Sequence, residues 1–418
     1  MSSFAIPLSG LQASSDALNV ISNNLANLNT DGFKDQTLSF GDVFSQLQGI
    51  SGNGDPIQIG GGVQVGSTVS NFSDGGVDST GVAANMALQG NGFFVVNNSS
   101  GTSYTRDGDF SVNSSGQIVD ASGDLVMGFQ ANASGQIATG GALAPLSVNS
   151  TSAIPAQAST SFSTTTNLQA GSAAGTTFST PIAVVDSLGE TQNLTITYTA
   201  SATPNSWNYT ITLPASATGG TAATTLTSGT MTFDSSGNLE STTPASTSGA
   251  IGGIDITGLA DGAAPMSLSW SLNNASGSPI ITQQDSASAT SATDVNGYTS
   301  GTLTGFSVLS NGTVEGTFSN KQTMALGQVA VANFANPEGL TQGSNGTFQA
   351  TVASGAAVVG EAGVGGNGTI TGDAVEQSNV NLSTEFANMI VAQQSYEANA
   401  KALTTLNQVS QATIQMIS

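Results

Sequence analysis

Apolar residues recur at heptad spacing near both ends of this chain and at alternate positions between them. Phe4, Leu11, Leu18 and Leu25 fall seven apart, with Ile21 and Leu28 three residues after the last two, which is the a/d pattern of a helical seam. Pro7 is compatible with a helix here because it lies in the first turn. Asn29, Thr30, Asp31 and Gly32 then supply a stop and a turn. Near the other end Leu382, Met389, Tyr396 and Leu403 repeat the spacing of seven, and Leu406, Val409, Ile414 and Ile417 continue the stripe. Asn381 or Ser383 can cap this second helix, and Glu385 falls in the first turn, where the helix dipole favours a carboxylate. At about 1.5 Å per residue the two helices are expected to be roughly 35 and 50 Å long.

As a bare pattern, two terminal heptad helices most often form a hairpin that closes a domain. Two features favour assembly with further copies instead. Apolar residues such as Ala17, Ile390 and Val391 lie off the seams, which suits contact with several neighbours. The polar faces hold Asn, Gln, Ser and Thr with almost no charge, so each helix has little support from ion pairs until other helices bury it.

The long middle reads differently. The stretch GISGNGDPIQIGGGVQVG, residues 49–66, is too rich in Gly for a helix and predicts an extended connector. From about Val69 to Ile370, short alternating runs recur between Ser-Gly, Asn-Gly and Asp-Gly turns, among them GNGFFVV from Gly90, DGDFSV from Asp107, SSGQIV from Ser114, ASGDLVMGF from Ala121 and LTITYT from Leu194. This predicts an all-β body. Composition shifts near Pro145 and again near Asp294, and the Thr/Ser/Ala-rich segment between them holds both tryptophans, Trp207 and Trp270. The simplest topology places one mainly antiparallel β domain in a loop of another, with both carried between the paired helices.

Composition removes most chemistry. The 418 residues include no Cys and no His, and 4 basic residues stand against 26 acidic ones, for a net charge of −22. Zinc sites built on Cys or His, Cys nucleophiles and His bases all need absent side chains, and four basic residues cannot neutralise a phosphate backbone. Charged residues make up 7% of the chain against about 25% in ordinary proteins, so the surface is polar but largely uncharged. No cleavable secretory signal and no membrane span are expected, because Met1–Leu11 lacks Lys, Arg and a continuous apolar block and no window is long and apolar enough.

Few residues invite a catalytic or metal reading. Asp107 and Asp109 could be drawn as a glycosidase carboxylate pair, but the Asp-Gly step between alternating runs predicts a hairpin turn, with Arg106 as a local charge partner. Asp234–Glu240 and Asp120–Asp124 echo calcium loops without the full set of oxygen ligands, and turns explain both. Gly60–Gly62 lacks the Lys of a phosphate loop. No catalytic residue, cofactor or metal site is expected. A secreted acidic adhesin or carbohydrate-binding protein remains an alternative, and it requires an exposed Trp207 or Trp270.

Specific strings resemble a known family. LSGLQASSDALNVISNNLANLNTDGFK, residues 8–34, is similar to the opening signature of bacterial flagellar rod and hook proteins, and NVNLSTEFANMIVAQQSYEANAK, residues 379–401, resembles the family's closing helix. The interior stretch NGTVEGTFSNKQTMALGQVAVANFANPEGL, residues 311–340, together with DSLG at Asp186 and FDSSGNL at Phe233, resembles the hook members rather than the shorter rod members. The distal rod protein is the nearest alternative.

The resemblance implies a non-enzymatic subunit that polymerises into a curved, flexible tube transmitting torque from rod to filament. It implies coiled-coil-like terminal helices (1–30 with 376–418) forming an inner tube, a connector (31–71 with 366–375), an inner β domain (72–145 with 294–365) and an outer β domain inserted into it (146–293). The seam residues Phe4, Leu11, Leu18, Ile21, Leu25, Leu28, Leu382, Met389, Tyr396, Leu403 and Leu406 are then the self-assembly positions. Phe40 and Phe44 are similar to an element read by the flagellar type III export gate. The implied partners are further copies, the distal rod, the hook cap, the hook–filament junction proteins and the export apparatus, on an extracellular structure reached without a cleaved signal. The scarcity of basic residues sets this chain apart from salt-bridged outer-domain contacts, and the missing Cys from members cross-linked between subunits.

Overall fold

The computed structural model describes residues 4–43, 46–50, 56–98, 101–149 and 153–417. The chain is mainly β with one long helix near each end, and it divides into two compact units, the first built from residues 1–150, 305–317 and 323–418 and the second from residues 151–304 and 318–322.

In the first unit the N-terminal helix spans Ala5–Ala26 and the C-terminal helix Leu382–Ile417. Their 22 and 36 residues give lengths of about 33 and 54 Å. Of the two predicted caps Asn381 serves, its Oδ1 accepting the backbone N–H groups of Ser383 at 3.0 Å and Thr384 at 3.2 Å. The described residues of the Gly-rich stretch, 49–50 and 56–66, are strand or irregular, and none is helical. Strand Gln36–Asp42 pairs antiparallel with Val63–Ser70, and Gln46–Ile50 pairs with Pro56–Ile59.

The β body of this unit is built around strand Phe93–Asn98, which pairs with Gly101–Thr105, Leu125–Gln130 and Val331–Asn333. Its side chains alternate between two cores. Phe94 and Val96 join Met86, Leu88, Phe110 and Val329 on one face, while Phe93 and Val95 join Tyr104, Phe334 and Phe348 on the other. Phe93 packs edge-on against Phe72, Phe334 and Phe348 at centroid distances of 5.2–5.8 Å.

The second unit is a pair of five-stranded sheets whose inner faces share one core. One sheet is an antiparallel meander of Thr177–Val185, Thr191–Ala200, Ser206–Leu213, Thr224–Phe233 and Leu239–Thr243. The other departs from purely antiparallel pairing: Ser161–Gln169 runs parallel to Met266–Ser271 and to Ile281–Gln284. Trp207 and Trp270 are 1% and 0% exposed in the core between the sheets, with Tyr209 edge-on to Trp270 at 5.4 Å. This removes the exposed tryptophan that a carbohydrate-binding reading requires, because both indoles supply core volume instead.

Candidate assembly interface

The two helices of the first unit pack against one another in opposite directions. Gly10 approaches Asn399 so closely that a Cβ at position 10 would fall 2.7 Å from Asn399 Nδ2, and at the other end Glu385 lies against Asn24. Small residues make this approach possible: Gly10, Ala13, Ser14 and Ala17 on one helix and Ala392 and Ser395 on the other line a cleft of about 490 Å³ that also includes Ile21, Leu38 and Phe40. The sequence seam and the intrachain contact therefore overlap only in part. Ile21 is buried and Leu11, Leu18 and Leu25 are half-buried beside the contact stripe, whereas Leu28, expected on the same seam, is half-buried in the turn past the helix end at Ala26.

On the C-terminal helix the residues turned inward are Glu385 and Ala392, seven apart. Met389, Leu403 and Leu406 are half-buried, Leu382 and Tyr396 are 41% and 42% exposed, and Phe386, Ile390, Val391 and Val409 are exposed as well. At about 100° per residue, Phe386 and Ile390 lie on one flank of the inward stripe and Val391 and Val409 on the other. Counting one residue for one from Gly10 and Asn399 brings Ala5 level with about Thr404, so roughly the last three turns, with Val409, Ile414 and Met416 exposed, run past the first helix. Among the described residues, nothing in the single chain covers these apolar positions.

The root of the helix pair is polar. Asn24 Nδ2 donates to Asp35 Oδ1 at 2.6 Å and to the Gln36 carbonyl at 2.8 Å, and Asn379 Oδ1 accepts the Asp35 backbone N–H at 2.7 Å. Glu385 is 4% exposed beside them; burial, and then the Asp35 charge, raises its pKa.

One layer further in, Lys34 Nζ lies 2.6 Å from Glu376 Oε1, and Arg106 reaches the other oxygen of the same carboxylate at 3.4 Å. Arg106 also donates to the carbonyls of Leu88 at 3.2 Å and Gly90 at 2.5 Å and lies over the Phe93 ring, 5.5 Å from its centroid. The Gly75 N–H donates to Glu376 Oε1 at 2.8 Å. Burial, and then the Arg106 charge, holds the Lys34 ammonium below its ordinary pKa, against the pull of Glu376. The sequence reading of Arg106 is corrected here. It turns inward to Glu376 and does not pair with Asp107 or Asp109, because a buried carboxylate without cations would be far costlier than an exposed one. The expected hairpin is corrected too, since Gly101–Thr105 pairs with Phe93–Asn98 and Thr347–Gln349, while Ser111–Val112 pairs with Ile118–Val119.

Phe40 lies on strand Gln36–Asp42 beside a register shift and is 49% exposed at the cleft, whereas Phe44 lies outside the described residues. The two loops that echo calcium sites are turns. Asp120 Oδ1 accepts the N–H groups of Ser122 and Asp124, each at 2.8 Å, and Asp234 Oδ1 those of Ser236 and Asn238 at 2.8 and 2.9 Å.

Four family models cover successive parts of the chain: flagella basal body rod protein over residues 6–34, flagellar hook protein FlgE/F/G D1 domain over 87–199, flagellar basal body protein FlaE D2 domain over 147–298, and flagellar basal body rod FlgEFG protein C-terminal over 372–416. The flagellar hook protein FlgE of Salmonella typhimurium is 35% identical across 97% of this chain and 98% of its own length. The chain belongs to the flagellar hook protein family. The hook protein FlgE of Escherichia coli is 33% identical with the same two shares, 97% and 98%. The chain is also similar to the crystal structure of Helicobacter pylori flagellar hook protein FlgE2, with a TM-score of 0.49 and 13% identity over 72% of this chain and all of that one. In this hook-family chain the rod-type models fall on the two helices, and the two domain models fall on the β units.

Proposed function

We propose that this chain is a structural subunit of the bacterial flagellar hook, not an enzyme, and that copies polymerise through the terminal helices into a curved, flexible tube transmitting torque from rod to filament. The observation that carries this reading is the helix pair itself. Small residues hold the two helices together, while on the C-terminal helix Phe386, Ile390 and Val409 stay exposed on the flanks and Leu382 and Tyr396 stay about two-fifths exposed. Burying such flanks against neighbouring copies gains about 25 cal/mol per Å² of apolar surface. The seam leucines, half-buried in one chain, would complete the inner tube.

The β units would then form the outer layers, with the second unit outermost. Their surfaces are mainly uncharged Ser, Thr, Asn and Gln with few basic groups, so neighbours can shift without breaking strong ion pairs. A firm centre and a compliant outside permit bending during rotation. On this reading the subunit leaves the cell through the flagellar type III apparatus, with Phe40 and Phe44 read at the gate. It meets the distal rod, the hook cap and the hook–filament junction proteins on an extracellular structure.

The test is immunogold electron microscopy of intact flagella with an antibody to residues 153–293. Gold on the short curved segment between cell body and filament is the expected result. Gold along a straight shaft, or scattered over the cell surface, overturns the hook reading.

A further inference from the structure

The two sheets of the second unit differ in the face each turns outward. The antiparallel meander points Ile196, Tyr198, Tyr209, Ile211 and Met231 into the core. Its other face presents Thr195 opposite Thr212 and Thr197 opposite Thr210, and on the next strand Thr230 and Thr232 opposite Asn208 and Ser206. Its five strands contain one charged residue, Glu240, beside the register shift at the start of the edge strand Leu239–Thr243. The outward face of the other sheet carries the exposed carboxylates Asp255, opposite Ser267, and Asp294, opposite Ser163.

Each copy bears a net charge of −22, so two copies repel wherever carboxylates meet, and the threonine face is where they approach without that cost. Its chemistry suits close contact. Threonine is stiff at χ1 and loses little freedom on burial. Some hydroxyls are already paired across strands, Ser179 with Thr197 at 3.0 Å and Thr232 with Ser241 at 2.6 Å. Five strands about 4.8 Å apart, each about eight residues long at 3.3 Å per residue, give a face of roughly 650 Å². A standard stable interface takes about 800 Å² from each partner, so this face supplies most of one side.

We infer that the threonine face of the meander is the surface on which the second unit meets a second copy of this chain. The inference rests on the assembly reading above and adds to it which face is in contact. The chain has no cysteine, so one introduced thiol can be followed alone. Thr210→Cys, at the centre of the face, is expressed in cells whose own hook gene is deleted, and maleimide labelling is compared between isolated hooks and dissociated subunits. Labelling at least tenfold slower in the hook is expected; equal rates overturn the inference. A second variant, Thr210→Glu, is expected to shorten or abolish hooks while the subunit keeps its urea midpoint, and normal hooks from it also overturn the inference. Failure of the unmodified chain to build any hook overturns the assembly reading and this inference together, a result distinct from full-length hooks that label freely.

Discussion

Lys34 and Glu376, 342 positions apart, form a buried ion pair of 2.6 Å in which both side chains are 1% exposed. Lys34 follows the N-terminal helix and Glu376 precedes the C-terminal one, and Arg106 brings the β body to the same carboxylate. Two of the four basic residues in the chain thus lie buried, where the segment after the first helix, the segment before the last and the β body come together. A buried pair of this kind adds little net stability compared with apolar packing, but removing one member leaves the other charged and unmatched.

Glu376→Gln is therefore expected to cost about 3 kcal/mol, read as a lower urea midpoint. Lys34→Met combined with Glu376→Gln is expected to cost less than the sum of the two single changes. Additive losses would mean that the pair is not energetically coupled.

Gly32 sits at φ +66°, where a Cβ would fall 2.5 Å from the Arg106 carbonyl carbon and 2.6 Å from Asp107 Cα, both backbone atoms that cannot swing aside. Gly32→Ala should lower stability by about 3 kcal/mol through strain and forced separation of the turn from the β body. Thermal unfolding close to wild type would contradict this close approach.

Burial raises the Asp107 pKa to about 6, and the neighbouring charges of Asp109, Asp31 and Asp120 add to the rise. A folded pKa above the ordinary 3.8 means that the folded chain holds this proton more tightly than the unfolded one. The ionised group therefore opposes folding above pH 6, and that penalty fades as pH falls from about 6 toward 3.8. Asp107→Asn should stabilise the protein by about 1 kcal/mol at pH 7.5 and by almost nothing at pH 4, measured by urea unfolding at both pH values. A gain that is the same at both pH values would show that ionisation of Asp107 is not its source.

Phe40 is half exposed on a strand next to a register shift, so its removal leaves the core intact. Phe40→Ala is expected to keep the subunit inside the cell without lowering its stability. Undiminished secretion would rule out its role at the export gate.

Much of the architecture was legible in the pattern of residues. The spacing of seven at Leu11, Leu18 and Leu25, and at Met389, Tyr396 and Leu403, locates both helices, because an amphipathic stripe has one geometric solution. Alternation in GNGFFVV locates the strand at the centre of the first unit. The stripe that faces the second helix is harder to see: Gly10 and Ala13 give a weak hydrophobic signal even where they permit the closest approach, and Ala17, expected off the seam for contact with several neighbours, lies in this intrachain stripe. The Lys34–Glu376–Arg106 contact joins three distant segments, and no local pattern encodes such a meeting. Its available signal is scarcity: with four basic residues against 26 acidic ones, a buried carboxylate has few cations to pair with, which singles out Lys34 in TDGFK and Arg106 in YTRDGDF.

The central claim, that the exposed and half-buried flanks of the helix pair build the tube, is tested most directly by Leu18→Asp and Leu403→Asp, each expressed in cells lacking their own hook gene. Hooks are scored by electron microscopy, and the β units by circular dichroism of the purified subunit. The account predicts no hooks from either variant with an unchanged β spectrum, because assembly would bury an unpaired carboxylate. Curved hooks of normal length from both variants would contradict it.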